Sequence, residues 1–187
     1  MRKALPSVIL ALGLASSPSH GKVAAQSASG FVITASAEVN ASPEQTWREL
    51  IAPARWWSKD HTYSHYAANL SLDPRPGGCF CERLPGSRAM PRGGVEHMRV
   101  VYADRAKVLR MKGALGPLQT EAVEGTLTVT LMPMGNGTRI EWLYVVGGYM
   151  RFKPEEIAPA VDQVLSDQLV SLAARLGPVV QTGSQPL

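Results

Sequence analysis

Past its first 25 residues the chain has no apolar run long enough to cross a bilayer, no basic run or stripe, and only two cysteines. The first absence excludes a membrane span in the mature chain. The second removes the electrostatic footing for nucleic-acid binding. The formal charge of +4 overstates the basic character, because Arg2, Lys3 and Lys22 belong to the first 25 residues. From Gln26 onward the 19 basic residues of the chain fall to 16, against 15 acidic ones. A Ser nucleophile elbow, a phosphate-binding glycine loop and a dinucleotide fingerprint are all missing. Gly77-Gly78 and Gly147-Gly148 read as turn and bulge residues instead. His61, His65 and His97 have no metal-motif spacing to Cys79 and Cys81. Neither a metal nor a cofactor is expected, and there is no internal repeat.

The N-terminus reads as an export signal. Arg2 and Lys3 form a positive start, and Ala4 to Ala15 is a short apolar stretch. Val23-Ala24-Ala25 offers small residues at the two positions a signal peptidase reads, which predicts cleavage after Ala25. Residues 26–30 then form a flexible leader, and the mature protein is periplasmic or secreted. With 187 residues the remainder is one domain, residues 31–177, followed by a disordered tail, residues 178–187.

Within the domain the element order is informative. Phe31, Ile33, Ala35, Ala37 and Val39 alternate with polar residues, as in a half-buried strand. Ser42, Pro43 and Gln45 then supply an N-cap, a first-turn proline and a capping-box partner for a helix to about Ile51. A second helical turn ends at Trp56-Trp57, and Ser58 to Ala67 is a polar, aromatic loop. Strands follow at Leu70 to Asp73, Cys79 to Leu84, Val95 to Ala103, Lys107 to Lys112, Glu124 to Met132 and Thr138 to Val146. Pro154 to Leu176 is a long helix with Ile157, Val161, Val164, Leu165, Gln168, Leu172 and Leu176 on one face. This order predicts an α+β fold: a curved antiparallel sheet wrapped around a C-terminal helix, with a cavity between them.

Several segments, taken in order, resemble a known family. They are Ala41-Ser-Pro-Glu-Gln-Thr-Trp47, Trp56-Trp57, Asp73-Pro-Arg-Pro-Gly-Gly78 and Gly137-Thr-Arg-Ile140. Together they resemble the START-like (SRPBCC) superfamily with its helix-grip fold. The nearest likeness is to bacterial homologues of the heat-shock-protein ATPase activator domain and to polyketide cyclase-like proteins. The resemblance spans roughly Phe31 to Leu176. It implies a fold more than a function, since the superfamily holds carriers, hormone receptors, cyclases and proteins without known activity. Activation of a cytosolic chaperone does not suit an exported chain.

The candidate binding residues come from the faces around the expected cavity. Trp56 and Trp57 are either core plugs or an aromatic wall for a flat ligand. Phe80 and Leu84 share a strand face with Glu82, a carboxylate that needs a partner if it is buried. His97 and Arg99 on the next strand share a face and are the candidate partners, although that strand's apolar parity is ambiguous. Alternatively, Glu82 sits solvated at the sheet edge. Ile140, Trp142 and Tyr144 share a face that lines the cavity or fills it, opposite Val161, Val164, Leu165, Gln168 and Leu172 of the last helix. Asp60, His61, Tyr63 and Tyr66 lie in the loop near the expected mouth. Cys79 and Cys81 point to one face as separate thiols, a disulfide, or a redox or metal pair. The expected partner is a small apolar or amphipathic molecule. Three functions remain open: a non-catalytic carrier or sensor; a cyclase- or hydrolase-type enzyme using Glu82, His97 or Tyr144; and a protein-interaction module with a filled core.

Overall fold

The computed structural model describes residues 20–87 and 91–179. Eight strands form one antiparallel sheet in the order β1-β2-β8-β7-β6-β5-β4-β3. They are β1 (His20–Ser27), β2 (Gly30–Val39), β3 (Leu70–Leu72), β4 (Cys79–Leu84), β5 (Gly93–Asp104), β6 (Val108–Lys112), β7 (Ala122–Met134) and β8 (Gly137–Tyr149). Two α-helices, α1 (Pro43–Leu50) and α2 (Pro154–Leu176), complete the frame. The curved sheet and its long closing helix are the helix-grip arrangement.

Local chemistry accounts for the main elements. Along β2 the residues Phe31, Ile33, Ala35, Ala37 and Val39 are all buried, so the period-two pattern sets its inner face. The capping box forms at α1: Gln45 N–H donates to Ser42 Oγ, and Gln45 Oε1 accepts from Ser42 N–H. Gly135, in the left-handed region at φ 51°, makes the tight turn that joins β7 to β8. On α2 the fully buried residues Ala158, Leu165, Leu169 and Leu172 recur at helical spacing. The helix lies closest to β2 and β1.

Two boundaries differ from the sequence reading. β1 continues across the expected cleavage point at Ala25, with a register shift between Val23 and Ala25, and pairs with β2 from His20↔Ser36 to Ser27↔Gly30. Residues 26–30 are therefore the end of one strand, a tight turn and the start of the next, not a free leader. Val23 packs on the core, and α2 comes so close to Gly21 that a Cβ there would overlap Ser166. The rest of the expected export signal, residues 1–19, lies outside the described residues. At the other end Pro178 bridges Val39, and Val179 N–H donates to the Glu38 carbonyl. The tail thus begins paired to β2; residues 180–187 lie outside the described residues.

Candidate functional site

The inner face of β8 at Trp142 is covered by the segment that carries Trp56. Trp142 packs on Trp56 with ring centroids 6.1 Å apart, and both are buried. A space of about 20 Å³ lies between this segment and the sheet, lined by Trp56, Phe80, Met98 and Trp142 among others. Trp56 donates its Nε1–H to the Glu49 carbonyl, whereas Trp142 Nε1 is buried without a hydrogen-bond partner. Tyr144 is wholly buried; its hydroxyl donates to the Gly113 carbonyl and accepts from Leu115 N–H. Gly125 makes room for it, because a Cβ there would sit 2.3 Å from the hydroxyl. Burial pushes the Tyr144 phenol well above its ordinary 10.0, against the lowering effect of Leu115 N–H. Tyr144 is thus a structural brace for the 113–115 segment, and its phenol stays protonated at neutral pH.

The open space lies beside this core. A cleft of about 560 Å³ runs between the first half of α2, the 57–63 loop and the 115–120 segment. Trp57, Leu115, Ile157, Val161, Val164 and Leu165 give it apolar walls, while Asp60, His61, Thr62, Tyr63 and His97 add polar groups. Hydrogen bonds hold the loop walls in place. Gln168, fully buried on α2, accepts Ser58 N–H on Oε1 at 2.8 Å and meets His61 Nδ1 through Nε2 at 2.7 Å. Since an amide Nε2 only donates, His61 Nδ1 is the acceptor. Trp57 Nε1–H donates to the His61 carbonyl, and Tyr63 Oη–H to the Gly116 carbonyl, tying the two loops together.

Glu82 and His97 form the buried polar pair of this region. The Glu82 carboxylate accepts from Tyr63 N–H at 3.1 Å, Ser64 N–H at 2.5 Å and His97 Nε2 at 3.0 Å. Burial pushes Glu82 upward, but Ser64, Tyr63 and His97 outweigh it and hold the carboxyl below its ordinary 4.5. Burial pushes His97 below its ordinary 6.5, against the opposing pull of Glu82. At neutral pH the pair is therefore an ionised carboxylate and a neutral imidazole. A carboxylate only accepts, so Nε2 carries the proton and Nδ1 keeps its lone pair. The ring sits between Phe80 at 5.1 Å and Tyr63 at 5.9 Å.

A register shift creates this pair. Phe80 is opposite Met98 and Cys81 is opposite Glu96, so His97 is the extra residue of a bulge. His97 and Met98 are both buried as a result, and Arg99 turns outward. Arg99 was an expected partner of Glu82; instead it binds Glu96 and the Gly77 carbonyl on the outer face. Of the other sequence-derived candidates, Trp57, His97 and Val164 line the cleft. Phe80 supports it from behind, and Trp56, Trp142, Tyr144 and Gln168 are packed or hydrogen-bonded structure. Tyr66 is exposed and away from the lining. Sequence reading missed the wall formed by Leu115, Gly116 and Pro117; the apolar Leu115 flanking a Gly-Pro turn was its one signal. Cys79 and Cys81 are joined by a disulfide on the outer face.

A family model described as polyketide cyclase/dehydrase and lipid transport matches residues 31–177. No curated protein matches the sequence. Among solved structures, protein CV1439 from Chromobacterium violaceum superposes with a TM-score of 0.52 at 17% identity, covering 79% of this chain and 98% of its own. Protein MLL2253 from Mesorhizobium loti gives 0.53 at 16% identity, covering 76% and 94%. Ara h 8.0201 gives 0.54 at 10% identity, covering 79% and 97%. At these identities the likeness is one of fold.

Proposed function

The chain belongs to the polyketide cyclase/dehydrase and lipid transport family of the START-like superfamily, and from that membership we propose that it binds one small, mainly apolar or amphipathic molecule in the cleft beside α2, as a carrier or sensor. The observation that carries this reading is the cleft of about 560 Å³ with apolar walls and the buried Glu82–His97 pair at its side. That size falls within the roughly 300–1,000 Å³ of small-molecule sites. The apolar body of a ligand lies against Trp57, Leu115, Val161 and Val164, and a hydroxyl or amine meets His97 Nδ1.

The Glu82–His97 pair also supports a second reading, an enzyme of the cyclase type. Glu82 holds His97 in one tautomer, which leaves Nδ1 as a general base toward a proton in the cleft. Binding of the amphipathic fluorophore 1-anilinonaphthalene-8-sulfonate, read against two variants, separates the possibilities. Val164→Trp places an indole in the cleft wall, obstructs the apolar part of the site and lowers affinity at least tenfold in either reading. His97→Gln weakens binding several-fold if His97 anchors a ligand; if His97 is a base, it spares binding and removes turnover. Unchanged binding in Val164→Trp overturns the assignment of the cleft.

We also infer export, with Arg2, Lys3 and the apolar stretch from Ala4 to Ala15 as the signal. Processing falls ahead of His20, because cleavage after Ala25 cuts through β1. The small residues Ser17 and Ser19 stand at the required spacing for cleavage after Ser19.

A further inference from the structure

We propose that Cys79 and Cys81 are a thiol–disulfide exchange site for a dithiol reductant, and that their redox state is transmitted to the cleft through Phe80 and His97.

The two cysteines alternate with Phe80 and Glu82 along β4, so their sulfurs lie on the outer sheet face while those two side chains point inward. Both cysteines are half-buried and within reach of a reagent in solution. A crosslink over so short a segment does little as a staple, because stabilisation by a disulfide grows with the length of the loop it closes. Its effect is local. The Cα atoms of Cys79 and Cys81 are 5.3 Å apart, whereas two residues of extended strand rise about 6.6 Å. The oxidised pair thus holds β4 shortened at Phe80. The register shift between β4 and β5 falls at this place, between Phe80 and Cys81, and His97 is the residue it displaces inward. Phe80 itself touches both His97 and Trp57, with centroids 5.1 and 5.2 Å away. Opening the disulfide lets β4 extend, and the first side chains to move are those that shape the polar side of the cleft.

Arg99 is directly opposite Cys79 in the ladder and Glu96 opposite Cys81. The Glu96 carboxylate lies within 4.8 Å of both sulfurs and is itself paired with the Arg99 guanidinium, so the charges beside the two cysteines offset each other. A thiolate of the reductant attacks Cys81 Sγ and the Cys79–Cys81 bond breaks. A mixed disulfide forms at Cys81, and Cys79 leaves as thiolate and takes a proton. The second thiolate of the reductant then attacks its own sulfur in the mixed disulfide and releases Cys81. Two electrons pass to the protein, and the reductant leaves as a disulfide.

The cleft half of this proposal rests on the ligand-binding reading, so the test has a readout independent of ligand. The native full chain is equilibrated with millimolar dithiothreitol or with glutathione disulfide. Free thiols are then trapped by alkylation, and the ring proton shifts of His97 are followed against pH by NMR. Two thiols are expected to appear together in dithiothreitol without denaturant and to disappear in glutathione disulfide. The His97 titration is expected to differ between the two states. The Cys79→Ser/Cys81→Ser double variant reproduces the reduced titration and ignores dithiothreitol. Fluorophore affinity differs at least threefold between oxidised and reduced protein. Thiols that react only after denaturation, or that never form a disulfide, overturn the exchange site. Identical His97 titrations in both states overturn the transmission. If the titrations differ and the fluorophore binds neither state, the ligand reading fails and this one stands.

Discussion

Replacing Glu82 by Gln tests the buried pair most sharply, because the carboxylate serves three donors. Oε1 accepts from Ser64 N–H, and Oε2 accepts from Tyr63 N–H and His97 Nε2. An amide keeps one oxygen. If that oxygen faces Ser64, the amide nitrogen faces Tyr63 N–H, and His97 must move its proton to Nδ1 to accept. If the oxygen faces Tyr63 and His97, the nitrogen faces Ser64 N–H. Either way one buried backbone donor is left without an acceptor, at a cost of about 1–3 kcal/mol. For a domain of this size that lowers Tm by roughly 2–12 °C. The deficit depends on pH with a definite sign. Glu82 has its folded pKa below the ordinary 4.5, so its contribution is fully present above that value and is lost as pH falls through the folded pKa. Because Gln resembles the protonated acid, wild type and variant converge in strong acid. Thermal unfolding followed by circular dichroism between pH 3 and 8 measures this. Equal stability at pH 7.5, or a deficit that stays constant down to pH 3, refutes the three-donor account.

Other perturbations follow from the same structure. His97 has its folded pKa below 6.5, so the unfolded chain takes up its proton first and wild-type stability declines as pH falls from about 6.5; in His97→Gln, stability profiles should be flat from pH 7.5 to about 5.5. Leu172 is fully buried on α2, and Leu172→Ala should cost about 2–5 kcal/mol in urea denaturation. A chain beginning at Gln26 loses most of β1 and should unfold at lower urea than one beginning at His20, and N-terminal sequencing of protein collected from the periplasm or medium of an expressing host should recover residues 20–25. Arg99→Ala should leave fluorophore binding and Tm within error, since its partners lie on the outer face.

Much of the fold was legible because it is written in local periods. Alternation from Phe31 to Val39, the Ser42–Gln45 cap and the helical stripe from Ile157 to Leu176 each specify an element and its buried face without reference to the rest of the chain. The inward aim of Glu82 was legible in the same way, from its parity with Phe80. What parity cannot reveal is an inserted residue. Glu96, Met98 and Tyr102 on one side, and His97, Arg99 and Val101 on the other, are equally mixed. The bulge that turns both His97 and Met98 inward depends on pairing with β4, and it separated Arg99 from Glu82. The position of the cleft was illegible for a related reason. Trp142 and Tyr144 do face inward, but whether that space is open depends on how Trp56 and the 113–115 segment fill it. β1 was hidden because small, weakly patterned residues such as Ala24 and Ala25 suit a protease site as well as an edge strand.

The central claim is that the cleft beside α2 is where a ligand sits. Two-dimensional NMR of the isotope-labelled protein during titration with 1-anilinonaphthalene-8-sulfonate tests it most directly. The account predicts saturable shifts concentrated at Trp57, Tyr63, His97, Leu115, Val161 and Val164, with the outer-face residues Val101, Leu143 and Val145 unmoved. Shifts centred on that outer face, or none around the cleft at saturating probe, contradict it.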